Sequence, residues 1–162
     1  MTFSIAARCP ETGQFGIAIS SSSIAVGARC PWLLPGVGAV STQNITLPSL
    51  GPETLALMEQ GLAPAQALDK VLTRNGYSQY RQITAIDHLG RTAHFSGAQT
   101  LGKHNAVSGG QCGAAGNVLA APGGRGANPI VGTPPPPPRF ARHPPLAGED
   151  SKTRAPASSA DR

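Results

Sequence analysis

The chain opens Met1-Thr2-Phe3-Ser4-Ile5-Ala6-Ala7-Arg8. A threonine directly behind the initiator methionine is small enough for that methionine to be trimmed. Thr2 then carries a free α-amine and a hydroxyl on one residue. An N-terminal threonine uses its own amine as general base for its own hydroxyl, which makes it a self-contained nucleophile for acyl transfer. Other chemistry-bearing side chains stand where apolar runs stop. Ser21 and Ser22 follow the run Gln14–Ser20. Thr42, Gln43 and Asn44 close the small-residue run Val37–Asn44. Asn117 follows Gly113-Ala114-Ala115-Gly116. Hydroxyls and amides placed at strand ends can line the mouth of a site, and backbone N–H groups or an amide can hold an oxyanion. Each also has a plain structural use. Ser21 and Ser22 can satisfy loop backbone, Asn44 can cap a turn, and Asn117 can cap a helix.

Other chemistries find little support. His88, His94 and His104 lack carboxylates at matching spacing, so no metal site is expected. Gly109-Gly110 and Gly113 lack the Lys-Ser/Thr partner of a phosphate loop, and no cofactor is expected. Cys9, Cys30 and Cys112 are odd in number with no close pair, which argues against a disulfide framework. No basic stripe is interleaved with aromatics, so nucleic acid is not an expected partner. There is no charged segment followed by a long apolar core, and no apolar run approaches about 18 residues. A cytoplasmic protein with reduced thiols and no membrane contact is the expectation.

Several elements must position these residues. Residues 2–8 read as a strand, with Phe3, Ile5 and Ala7 alternating against Ser4 and Ala6. Pro10-Glu11-Thr12-Gly13 is a turn, and Gln14–Ser20 a second strand, which makes a hairpin. Val37–Asn44 reads as a third strand. A helix starts at Leu50-Gly51-Pro52-Glu53, with proline suited to its first turn. A second begins at Ala63-Pro64 and stops at Asn75-Gly76. Tyr80–Asp87 and Arg91–Ser96 form a second hairpin around Asp87-His88-Leu89-Gly90. Ala106-Val107-Ser108 reads as a short sixth strand. Gly113–Leu119 reads as a loop entering a helix, whose N-terminus would favour negative charge beside Asn117. Clustered antiparallel strands with clustered helices predict an α+β fold in layers, not a parallel βαβ sheet.

The composition is not uniform. Residues 1–121 mix apolar residues with little charge. Residues 122–162 hold ten of the sixteen prolines, including Pro134–Pro138, and are read as a disordered tail. The net charge of +5 divides as +3 from the tail and +2 from the body.

Thr2-Phe3-Ser4-Ile5, Gly16-Ile17-Ala18-Ile19-Ser20-Ser21-Ser22-Ser23, Ala25-Val26-Gly27-Ala28, Pro31-Trp32 and Gly36-Val37-Gly38-Ala39-Val40 resemble the DUF1028 family. So do Gln43-Asn44, Gly51, Asp87-His88-Leu89-Gly90-Arg91, Phe95-Ser96-Gly97 and Ala115-Gly116-Asn117-Val118-Leu119. The resemblance covers about residues 2–121 and implies the fold of N-terminal-nucleophile hydrolases. In that αββα sandwich two stacked antiparallel sheets carry helices outside. It places Thr2 where the nucleophile of that fold sits and names no substrate. Members of the family usually continue past the Ala-Gly-Asn segment with a long helix and further strands. The change of character near Ala121 suggests translation in a shifted frame of a GC-rich gene, which predicts a domain incomplete at its C-terminus.

The expectation is hydrolysis of an amide-type C–N bond in a small molecule. Thr2 and Asn117 are the catalytic candidates, and Ser21, Ser22, Thr42, Gln43 and Asn44 the binding ones. The alternative is a binding or assembly module that keeps the fold without the chemistry. Two features favour it: the altered C-terminus, and the absence of lysine from the first 69 residues, which leaves no early cation of that kind to tune the amine. An incomplete sheet also leaves an edge that a second copy would cover, so a homo-oligomer is a further expectation.

Overall fold

The computed structural model describes residues 1–120. The tail expected over residues 122–162 lies outside the described residues. Among the described residues eight strands and two α-helices form three layers: two sheets face to face, and a helical pair on one of them.

The first sheet has the order β2-β1-β8-β7, built from β1 (Thr2–Arg8), β2 (Phe15–Ser21), β7 (Lys103–Gly109) and β8 (Cys112–Leu119). The second has the order β3-β4-β5-β6, built from β3 (Pro31–Leu34), β4 (Gly38–Asn44), β5 (Arg81–Asp87) and β6 (Thr92–Ser96). Every pairing is antiparallel. Helices α1 (Leu50–Glu59) and α2 (Pro64–Thr73) pack on the second sheet. This is the α+β sandwich that the sequence predicts, with one helical layer over two sheets among the described residues.

The opening hairpin forms as its pattern requires. Gly13 takes φ +72° at the turn, and its N–H donates to Cys9 O at 2.9 Å. The β5–β6 hairpin closes in the same way, with Gly90 at φ +78° and its N–H 2.9 Å from Asp87 O. Helix α2 is amphipathic, and Ala67, Leu68, Val71 and Leu72 are buried. They join Val40, Leu50, Leu55, Met58, Ile83 and Ala85 in the larger core, between the helices and the second sheet.

Two elements depart from the sequence reading. Pro31–Leu34, which the sequence reading does not assign to any element, pairs with β4 as an edge strand. Gly113–Leu119 is not a loop entering a helix. It is most of β8, paired with β1 on one side and β7 on the other. Alanine favours helix in isolation, but a strand with ladder partners on both sides satisfies every backbone group, and the tertiary pairing prevails. Small side chains are what that position needs. A Cβ on Gly116 would meet Leu119 Cδ2 at 3.0 Å and Thr2 O at 3.5 Å.

The space between the sheets is divided by polarity. At one end Ala6, Ala39 and Ile86 are fully buried, with Phe15 and Ile17 against them. At the other end lie the hydroxyls and amides of Thr2, Ser4, Ser21, Ser41, Gln43, Gln82 and Asn117. Alternation puts these residues on the inner faces, and the registers of the paired strands bring the polar ones to the same end.

Candidate functional site

β1 is a central strand, and its register puts Thr2 opposite Ser21 on β2 and opposite Asn117 on β8. Directly opposed residues share a face of the sheet. That face is the inner one, because Ser4, two residues on, accepts a hydrogen bond from Ser41 Oγ of the other sheet at 3.1 Å. Three predicted residues, Thr2, Ser21 and Asn117, therefore converge. Thr2 Oγ1 lies 2.8 Å from Ser21 Oγ. Hydroxyls come this close at a pair whose backbone groups point away from each other, where Cα atoms approach to about 4.5 Å.

Ser21 is itself held. The Ser23 N–H donates to Ser21 Oγ at 3.0 Å, and Arg29 Nη2 donates to Ser23 Oγ. A cation thus anchors the loop that carries the serine. Ser22 engages the residue that must leave for Thr2 to become terminal. Its N–H donates to Met1 O at 3.1 Å, and the Met1 amine donates to Ser22 Oγ at 3.1 Å.

The ladder also fixes where the Thr2 nitrogen points. Arg8 N donates to Gln111 O at 2.9 Å, across to the β7–β8 turn. In an antiparallel ladder the bonds alternate sides with period two. The nitrogens of Ala6, Ser4 and Thr2 therefore face β8, and that of Thr2 faces the carbonyl of Asn117.

Asn117 is 3% exposed and stands in β8, not at a helix N-terminus, so the expected helix dipole does not act on it. Its Nδ2 donates to Gln82 Oε1 at 3.1 Å. Gln43 Nε2 donates to the same oxygen at 2.7 Å. Gln82 Nε2 in turn donates to Gly116 O at 3.1 Å, Ser96 Oγ at 3.0 Å and Asn105 O at 3.4 Å. This buried amide network spans the two sheets. Gln43 Oε1 and Thr84 Oγ1, both buried, have no hydrogen-bond partner among the described residues.

Two predicted residues stay apart from this cluster. Thr42 lies on the face of β4 that looks toward the helices, opposite Ile83 of the larger core, and its Oγ1 is 3.5 Å from Arg29 O. Asn44 ends β4 at φ +73°. Its Nδ2 donates to Tyr80 O and its Oδ1 accepts from Leu101 N at 3.2 Å, so the side chain is spent on capping turns. Alternation explains the separation of Thr42 from Gln43: neighbours in a strand face opposite ways. Sequence reasoning missed Gln82 and Ser41. Gln82 shares a face with Thr84 in the strand pattern, but a polar stripe reads as solvent-facing until a second sheet covers it.

A cleft of about 450 Å³ opens between β6 and β7, lined by His94, Phe95, Ser96, His104, Asn105 and Ala106. Two of its lining residues, Ser96 and Asn105, receive Gln82 Nε2, so one wall of the cleft backs onto the amide network. His94 Nδ1 lies 3.2 Å from Ser108 Oγ. His104 Nδ1 lies 3.2 Å from Gly102 O.

Among titratable groups, the Cys9 thiol is held below its ordinary range by hydrogen bonds from the Thr12 side chain and from the backbone of Thr12 and Glu11. It sits at the far end of β1 from Thr2. No helix among the described residues is long and apolar enough to cross a membrane.

A crystal structure of a DUF1028 protein from Silicibacter pomeroyi matches with a TM-score of 0.73 and 31% sequence identity, over 75% of this chain and 54% of that one. The present chain thus spans about half the length of that relative. No curated protein matches. The profile of a family of unknown function, DUF1028, matches residues 2–124. On that match and that shared fold, the chain belongs to the DUF1028 family.

Proposed function

We propose that the polar end of the sandwich is an N-terminal-nucleophile site that hydrolyses an amide-type C–N bond in a small molecule, with Thr2 as nucleophile once Met1 is removed. The observation that carries this reading is the juxtaposition at the head of β1. The Thr2 hydroxyl lies 2.8 Å from Ser21 Oγ, and the register puts Asn117 on its other flank.

Thr2 Oγ1 attacks the substrate carbonyl and gives its proton to the Thr2 amine. The C–N bond then breaks, and the amine returns that proton to the leaving nitrogen. The acyl group is left as an ester on Thr2. Water attacks this ester with the same amine as base, which frees the acid and restores the hydroxyl. The register holds the amine toward the Asn117 carbonyl. Departure of Met1 frees the N–H and Oγ of Ser22 beside the new terminus. That N–H and the Asn117 amide are the donors available to the tetrahedral oxyanion. Gln43 joins the site through Gln82 rather than by touching substrate. Three free cysteines suit a cytoplasmic setting. A small-molecule substrate, and pairing of copies along a sheet edge, belong to the same proposal.

The experiment has two steps on the full chain. Intact mass establishes whether Met1 is absent, and a β-lactone probe is then mapped by peptide mass spectrometry. Loss of one methionine and labelling at Thr2, abolished in Thr2→Val, is the expected result. Retention of Met1, or no labelling of a folded sample, replaces this reading with a non-catalytic binding module.

A further inference from the structure

We infer that Gln82 is a positioning residue: it fixes which way the side-chain amide of Asn117 faces beside Thr2. This rests on the hydrolase reading above and extends it to a residue in the opposite sheet that does not touch Thr2.

The argument is one of donors and acceptors. Gln82 is fully buried, and three oxygens surround its Nε2. Two of them, Gly116 O and Asn105 O, are backbone carbonyls, which only accept. The amine end of Gln82 is therefore held against them, and a flipped amide would set oxygen against oxygen. That forces Oε1 to the other side, where Gln43 and Asn117 lie. Both must then present their NH2 groups. Asn117 spends one N–H on Gln82, keeps the other, and turns its Oδ1 away from Gln82. The orientation is decided by backbone geometry in β7 and β8 and relayed through a single glutamine.

The placement suits this role. Gly116, whose carbonyl holds Gln82, immediately precedes Asn117 and pairs with Phe3 beside Thr2. The glutamine is thus referenced to the strand whose side chain it orients. A buried amide so satisfied is rigid, because any rotation leaves desolvated groups unpaired. Preorganised donors contribute most to transition-state stabilisation when they need no reorganisation during the reaction.

Two measurements on the full-length protein test this. The first needs no activity. In ¹⁵N-labelled protein the Asn117 side-chain NH2 should give a sharp resonance pair protected from solvent exchange. Gln82→Met, close in size and without hydrogen bonds, should lose that protection at least about 10-fold. Unchanged protection in a folded Gln82→Met protein overturns the inference. The second measures β-lactone labelling of Thr2 in a double-mutant cycle. Gln82→Met should slow the chemical step about 10- to 100-fold, below the roughly 10²- to 10³-fold loss typical of removing an oxyanion donor. Probe affinity should be unchanged. In an Asn117→Ala background the same substitution should have no further effect. An equal slowing in both backgrounds assigns Gln82 a general structural role and overturns the inference.

Gln82→Glu covers the case in which Gln82→Met does not fold. Protonated, its carboxyl can donate to one carbonyl; ionised, it cannot. With at most one donor where glutamine has two, the side chain is held less firmly against the carbonyls, so Asn117 protection should fall below the wild-type value, and wild-type protection at every pH overturns the inference. If wild-type Thr2 does not label while Asn117 protection still depends on Gln82, the hydrolase reading fails and the positioning stands.

Discussion

Replacing Gly51 with alanine sets two opposed effects against each other. Gly51 is buried in the first turn of α1, facing Trp32 of β3. A Cβ there would stand 2.1 Å from Trp32 Cδ1, 2.3 Å from Cγ and 2.7 Å from Nε1. Carbon atoms settle at about 3.5–4.0 Å, so the indole has to retreat by more than about 1 Å. It is not free to do so. Its Nε1 donates to Arg29 O at 3.3 Å, and its ring packs on the larger core. Helix propensity favours alanine over glycine by about 1 kcal/mol. Overpacking costs about 1–3 kcal/mol, and a lost indole hydrogen bond about 1 kcal/mol more. The contact wins, with a net destabilisation of about 1–3 kcal/mol. For a domain of this size that lowers Tm by about 5–15 °C. Trp32 is the only tryptophan in the sequence, so its emission reports the displacement while far-UV circular dichroism follows the melt. The disturbance should also reach the site, because Arg29 anchors Ser23, and Ser23 holds the serine beside Thr2. A Gly51→Ala protein that melts at or above the wild-type temperature with unchanged emission refutes the reasoning.

Other perturbations test separate parts of the structure. Ser41→Ala leaves Ser4 Oγ without its inter-sheet partner and should cost about 1–3 kcal/mol in urea denaturation, while Ser4→Ala/Ser41→Ala should recover part of that loss by removing both polar groups. Asp87 is buried and accepts from Leu89 N at 3.0 Å, Arg91 N at 2.8 Å and Arg91 Nε at 2.6 Å. Asp87→Asn should destabilise by about 1–2 kcal/mol, discounted because Arg91 is half-exposed and screened; no change in the urea midpoint would show that the hairpin does not depend on the charge. The Cys9 thiol, with its pKa lowered, should reach half-maximal alkylation by iodoacetamide at a pH below that of an ordinary thiol. Thr12→Val should move that midpoint up, and an unmoved midpoint removes the Thr12 hydroxyl as the cause.

How much was legible can be followed residue by residue. Alternation in residues 2–8 and Gln14–Ser20 marked the opening hairpin, and the short turn between them put Ser21 near the start of the first strand; the structure carries the second strand one residue further, to Ser21, and pairs it with Thr2. The Pro52 and Pro64 starts and the leucine spacing marked both helices. Gly13 and Gly90 marked their turns because those positions need positive φ. β8 was missed because Gly113-Ala114-Ala115-Gly116 has no branched or aromatic residue to mark a strand, only the small side chains that a crowded central position requires. Thr42 and Gln43 looked equivalent as neighbours, yet they face opposite layers.

The sequence by itself determined the β1–β2 and β5–β6 hairpins, the two helices, the α+β class and the candidate nucleophile, since local backbone preference and short-range periodicity decide those. Only the tertiary structure brought Asn117 opposite Thr2 and put Gln82 between Asn117 and Gln43. These residues are separated by 35 to 115 positions along the chain. Their meeting depends on which strands share a ladder and which sheet faces which. Nothing in a local window encodes that choice, because it is made by the burial of whole faces and the pairing of whole edges.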